Sequence, residues 1–222
     1  MTQTTYLRAC VVAMLCTLFV GCASVQPMPY SELSSSNYLH RNMQSDADHV
    51  PFRYTIARNW SAYSKLILDP VVIYRGADQQ FGDMSDADKA ALATYMQSTF
   101  SSKLASRFTL AHQAEPGALR MTLTLTGATT TTPVLGAATH FDIGGNLYNA
   151  VQAMRGQKAL FGGSVTYAVE IHDAATNELL YADVTQQYPN AMNMGAAFGA
   201  LSAARTGIDK GADALVVVLG GS

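Results

Sequence analysis

Along residues 119–126 large apolar and polar side chains alternate without interruption. Leu119, Met121, Leu123 and Leu125 fall on one side, and Arg120, Thr122, Thr124 and Thr126 on the other. A period of two belongs to a β-strand with one face on a core and the other polar or only partly covered, so the chain must build a sheet. The pattern returns at Val165, Tyr167, Val169 and Ile171, set against Thr166, Ala168, Glu170 and His172. A turn over residues 173–178 and a second strand over 179–188 complete a hairpin, which Pro189 and Asn190 end. Residues 66–74 form a near-continuous apolar run, as in a strand covered on both faces. Pro70 within it cannot donate to a ladder, and Asp69 is expected to accept local backbone hydrogen bonds at that kink. With a short strand at 108–112, about five strands are expected.

Helices are expected on this sheet. Ser85 with Asp88 three residues later makes a capping start, and Leu92, Tyr95, Met96, Thr99, Phe100 and Leu104 then mark one face of a helix over 86–106. Residues 194–219 are rich in Ala and Gly. Gly195-x-x-x-Gly199 and Gly207-x-x-x-Gly211 would let a helix approach the sheet closely, while Gly207 is a candidate break. Between the strands, residues 133–154 are apolar in patches. Leu147, Val151 and Met154 suit a buried helix face; an exposed patch there would instead be a partner or membrane-surface site. The expected fold class is α+β: one mixed, mainly antiparallel sheet of about five strands with two or three helices packed on it.

The amino terminus sets the address. Arg8 and the α-amino group precede an uncharged run over residues 9–20, which is shorter than the roughly 18 apolar residues that a membrane span requires. It ends in Leu18-Phe19-Val20-Gly21-Cys22, which resembles the lipobox of bacterial lipoproteins. That resemblance implies a signal peptide over 1–21 and acyl chains on Cys22, and two or more such chains hold a protein stably on a bilayer. Residues 22–37, rich in Ser and Pro, then read as the acylated cysteine and a flexible tether, and 38–222 as a single periplasmic domain. Ala23 and Ser24 lack the aspartate that resembles an inner-membrane retention signal, so the expected location is the outer membrane, lipid-anchored and facing the periplasm.

Cysteine and charge narrow the chemistry. Cys10 and Cys16 lie within the signal, so Cys22 would be the only cysteine left, and neither an internal disulfide nor a thiolate zinc site is available. Loss of Arg8 would move the formal net charge from −2 to −3, and the absence of a Lys/Arg-rich segment argues against nucleic acid as a partner. His40, Asp46, Asp48 and His49 carry metal-ligating atoms, but Asp48 and His49 are adjacent and point apart in regular structure, so no metal site is expected. His112, His140 and His172 could be combined with a serine and Asp142 into a hydrolase triad. The chain has no Gly-x-Ser-x-Gly elbow, dinucleotide turn or Walker loop, and the expectation is no enzyme, no catalytic residue and no cofactor.

Lys65 to Val72 with Asp-Pro inside, the capped helix after Ser85, Pro116-Gly117-Ala-Leu-Arg-Met-Thr-Leu-Thr-Leu-Thr126 and Gly163-Ser-Val-Thr-Tyr-Ala-Val-Glu-Ile-His-Asp173 follow one another in order. Together they resemble a family of Gram-negative lipoproteins of unknown function, domain of unknown function 3313. Asn177 stands in the turn where that resemblance implies glycine. The family brings no catalytic residues. The expected function is a cell-envelope binding or assembly accessory, held at the membrane by acyl chains on Cys22 and working with another envelope protein. The alternative is a periplasmic carrier of a small envelope lipid or glycan.

Overall fold

The computed structural model of the chain describes residues 26–130, 163–188 and 199–220. They form an α+β fold in which eight strands make one mixed sheet with two helices on one face. The strands are β1 (His40–Arg41), β2 (Phe52–Thr55), β3 (Lys65–Leu68), β4 (Val72–Ile73), β5 (Thr109–Leu110), β6 (Ala118–Thr129), β7 (Ser164–Asp173) and β8 (Leu179–Gln187). Their order is β1-β2-β8-β7-β6-β3-β5, with β4 also paired to β6. The β1-β2-β8-β7-β6 pairings are antiparallel, and those of β3 with β5 and of β3 and β4 with β6 are parallel.

The sheet is larger than the five expected strands, for two reasons. Pro70 splits the apolar run into β3 and β4. The Asp69 amide donates to Met121 O at 2.9 Å, and the Val71 amide turns instead to Gln97 Oε1 at 2.8 Å. Asp69 itself accepts from the Thr122 hydroxyl at 3.2 Å, not from local backbone as expected. The other addition is β1 and β2, two and four residues long, too short to show a period in sequence.

Helix α1 (Asp86–Leu104) starts as expected: Ser85 Oγ accepts from the Asp88 amide at 3.1 Å. Its buried stripe, Leu92, Ala93, Met96, Phe100 and Leu104, lies on the apolar face of β6 and β7. Helix α2 (Ser202–Gly220) runs unbroken through Gly207 and Gly211. Close approach explains both glycines: a Cβ on Gly207 would lie 2.8 Å from Val165 Cγ1, and one on Gly211 only 1.7 Å from the Tyr167 hydroxyl oxygen. The helices are joined by Tyr95, whose hydroxyl donates to Asp209 at 3.0 Å, and by Lys103 with Asp213 at 2.6 Å. Among the described residues no helix is long and apolar enough to cross a membrane.

The second sheet face is covered by the chain's own amino-terminal part. Tyr30, Leu33, Leu39 and Tyr74 form a smaller core there with Ala168, Ala182 and Val184. Ordered packing thus begins near Tyr30, which is 1% exposed, and not at residue 38 where the tether was expected to end. The Ser and Pro content suggested a tether, but widely spaced large residues are enough to fix this strap.

Candidate functional site

The strap is built from a few long-range contacts. Ser34 Oγ and the Ser35 amide both donate to Glu170 Oε1 at 2.7 Å, which satisfies a carboxylate buried in the middle of β7. Tyr30 packs edge-on against Tyr74 with ring centroids 5.3 Å apart, and its hydroxyl donates to Gln80 Oε1 at 2.9 Å. Burial pushes the Tyr30 phenol up to about 12. The Tyr74 hydroxyl takes the Glu32 amide at 3.1 Å and donates to Asp78 at 2.6 Å, while Asp78 also accepts from the Ser31 amide. Burial works against the charge on Asp78, but these donors outweigh it and hold the carboxyl below its usual range. Gln80 Nε2 donates to Gln26 O at 2.6 Å and so ties the start of the strap to this junction. Beside it, Gly127 meets Gln80 so closely that a Cβ would stand 2.7 Å from Gln80 O.

Next to this junction lies a half-open cleft of about 310 Å³, lined by Ile73, Tyr74, Arg75, Gln79, Phe81 and Lys89 among others. Lys89 Nζ pairs with Asp86 at 3.0 Å and lies 5.3 Å from the centre of the Phe81 ring.

A second buried carboxylate sits on the helix face. Asp183, in β8 opposite Val169, accepts from the Tyr181 hydroxyl at 2.5 Å and from Thr185 Oγ1 at 3.1 Å. Burial raises its carboxyl to about 6, although Tyr181, Thr185 and Arg53 each pull it back. Arg53, across from it on β2, is committed to Asp46 at 2.5 Å. Burial opposes the Asp46 charge too, but donation from Arg53 and Asn42 lowers its carboxyl below the usual range.

These placements account for the residues singled out in sequence. Asp46 is taken by Arg53 and Asn42, and the His49 ring stacks 4.7 Å from Tyr188. No group of three His, Cys, Asp or Glu side chains that could hold a metal occurs among the described residues. His112 is exposed, and His172 lies next to the last residue of β7, paired with Arg120 and Leu179. Asp173 caps the turn, where its Oδ1 accepts from the Thr176 and Ala175 amides and its Oδ2 from the Tyr63 hydroxyl, each at 2.9 Å. Asn177 adopts φ +59°, the left-handed conformation that explains the expectation of glycine there. Cys22, His140, Asp142 and the segment 133–154 lie outside the described residues. Glu170 and Asp183 carried no sequence signal beyond their places in an alternating strand.

A family described as "Protein of unknown function (DUF3313)" matches residues 29–215, taking in the strap, all eight strands and most of α2. The chain belongs to this family. No curated protein matches it. Among solved structures, this chain is similar to two crystal forms of the PelC dodecamer from Paraburkholderia phytofirmans, one of them a point variant. The variant is 10% identical over 69% of this chain and 87% of that one; the other is 9% identical over 72% and 90%. The TM-score is 0.36 in both cases.

Proposed function

We propose that this DUF3313 chain is an outer-membrane lipoprotein, acylated on Cys22, that serves without catalysis as a binding or assembly accessory for another envelope protein. The observation that carries this reading is Leu18-Phe19-Val20-Gly21-Cys22 at the end of a short uncharged run. The fold supports it: the chain that follows the cysteine is packed onto the domain from Tyr30 onward, so anchor and domain are coupled. Buried polar groups such as Glu170 are spent on holding the strap. A second reading, carriage of a small envelope ligand, draws on the cleft beside Tyr74. Its volume of about 310 Å³ is at the lower end of ligand sites, which suits a headgroup or a single sugar and not a whole lipid.

The test is cross-linked co-purification of the full-length protein from solubilised membranes, with Cys22→Ser as the unanchored control. A defined protein recovered with the anchored form alone supports an assembly accessory. Lipid or glycan in the eluate without a protein favours the carrier, and an unmodified Cys22 by intact mass refutes both anchored readings.

A further inference from the structure

We infer that the end of the sheet carrying the loop at residues 74–82 and the start of α1 is the surface this domain turns to a zwitterionic phospholipid bilayer. The inference rests on acylation of Cys22 as proposed above. Gln26 is held at that end through Gln80 Nε2 at 2.6 Å, and the Gln80 amide is fixed to Thr126 O of β6 at 2.9 Å. Four peptide steps separate Gln26 from Cys22. At no more than about 3.6 Å per residue, Gln26 lies within roughly 14 Å of the acylated residue.

The opposite end is out of that range. Leu119 pairs with Asp173 at the far end of the β6-β7 ladder, beside the turn at 173–178. Eight residue steps along β6 separate Leu119 from Gly127, which is roughly 26 Å at about 3.3 Å per residue. The anchor therefore fixes which end meets the lipid.

The exposed groups at the near end suit a headgroup layer. Met28 is 38% exposed, and the Arg75 stem can lie along apolar surface while its guanidinium stays among phosphates. Among the described residues from the 74–82 loop to the start of α1, Arg75 and Lys89 are set against Asp78, Asp83 and Asp86, so this stretch carries no positive excess. Contact is held by the anchor and by short-range packing, and does not depend on anionic lipid.

The full-length acylated protein is placed in nanodiscs of zwitterionic phospholipid containing a headgroup nitroxide quencher, with a thiol-reactive fluorophore at one of two exposed sites. Ala77→Cys reports the near end and Ala175→Cys the far turn; both positions are exposed, and acylation blocks the Cys22 thiol. Several-fold stronger quenching at residue 77 than at 175, unchanged when anionic lipid is added, is the expected result. Equal quenching at the two sites, or stronger quenching at 175, overturns the inference. Intact mass separates the causes: acylated Cys22 with residue 77 unquenched overturns this inference alone, whereas unmodified Cys22 overturns the anchored reading as well.

Discussion

Replacing Asp183 by Asn tests how the sheet tolerates a carboxylate beneath its helices. The side chain is 4% exposed and accepts from Tyr181 and Thr185, and burial raises its carboxyl from 3.8 to about 6. A folded-state value above the unfolded one means that the native protein prefers the protonated form. Below pH 3.8 the group is protonated in both states and costs nothing. As pH rises from about 4 to 6 stability falls, and above 6 the full cost remains. About two units at 1.36 kcal/mol each come to roughly 3 kcal/mol. Asn keeps an acceptor for Tyr181 and can donate to Thr185, but does not titrate. Urea denaturation of both proteins should therefore give nearly equal stabilities at pH 4 and a variant more stable by up to about 3 kcal/mol at pH 7.5. That corresponds to roughly 6–12 °C in Tm for a domain of this size. Carboxylates that shift the other way, such as Asp46 and Asp173, are common to both proteins and cancel in the difference. Parallel pH profiles, or a variant less stable at pH 7.5, would refute the reasoning.

Gly211→Ala forces a Cβ to 1.7 Å from the Tyr167 oxygen and should cost about 1–3 kcal/mol; adding Tyr167→Phe should recover part of the loss in thermal melts, and no recovery would mean that the clash lies elsewhere. Glu170→Ala leaves the buried Ser35 amide without its acceptor, an expected loss of about 1–3 kcal/mol. Hydrogen exchange should then quicken at residues 30–39 before it does in β6 and β7, and uniform protection would contradict a discrete strap. Asn177→Gly should fold at least as stably as the native chain, whereas Asn177→Val, β-branched at φ +59°, should lose about 1–2 kcal/mol; equal stability of the two would show that the turn tolerates another conformation.

The elements legible in sequence were those long enough to repeat their period. Strand β6 with twelve residues, the β7-β8 hairpin and the capped α1 all lie where alternation and Ser85 place them. Strands β4 and β5, though only two residues each, fall inside the expected runs 66–74 and 108–112, whereas β1 and β2 are too short and too mixed in polarity to show a period. The strap was hidden for another reason. Its decisive contact joins Ser35 to Glu170, 135 positions away, and a local reading of Ser and Pro registers only flexibility. Gly207 looked like a helix break because propensity is a local quantity, while the nearness of Val165 is a property of the assembled sheet. Of the candidate site, the pairing of Arg53 with Asp46, and its nearness to Asp183, depended on strand register, and the cysteine motif read from residue order lies outside the described residues.

The strap also gives the molecule a mechanical grade. If the chain is anchored through Cys22 as proposed, a partner pulling the domain away from the membrane would load residues 26–39 first, and because these contact several strands their bonds would open one after another and not all at once. Peeling as far as Leu39 would raise the greatest possible reach from Cys22 to the docked chain from about 14 Å to about 60 Å at roughly 3.6 Å per residue, while the sheet stays folded. An optical-trap record taken through the amino terminus would then show a step of no more than about 45 Å, the contour released less the folded separation of Gln26 and Leu39, ahead of global rupture. The docked segment would act as stored slack, released when the tension from the partner exceeds what Glu170 and the Tyr30-Tyr74 pair can bear.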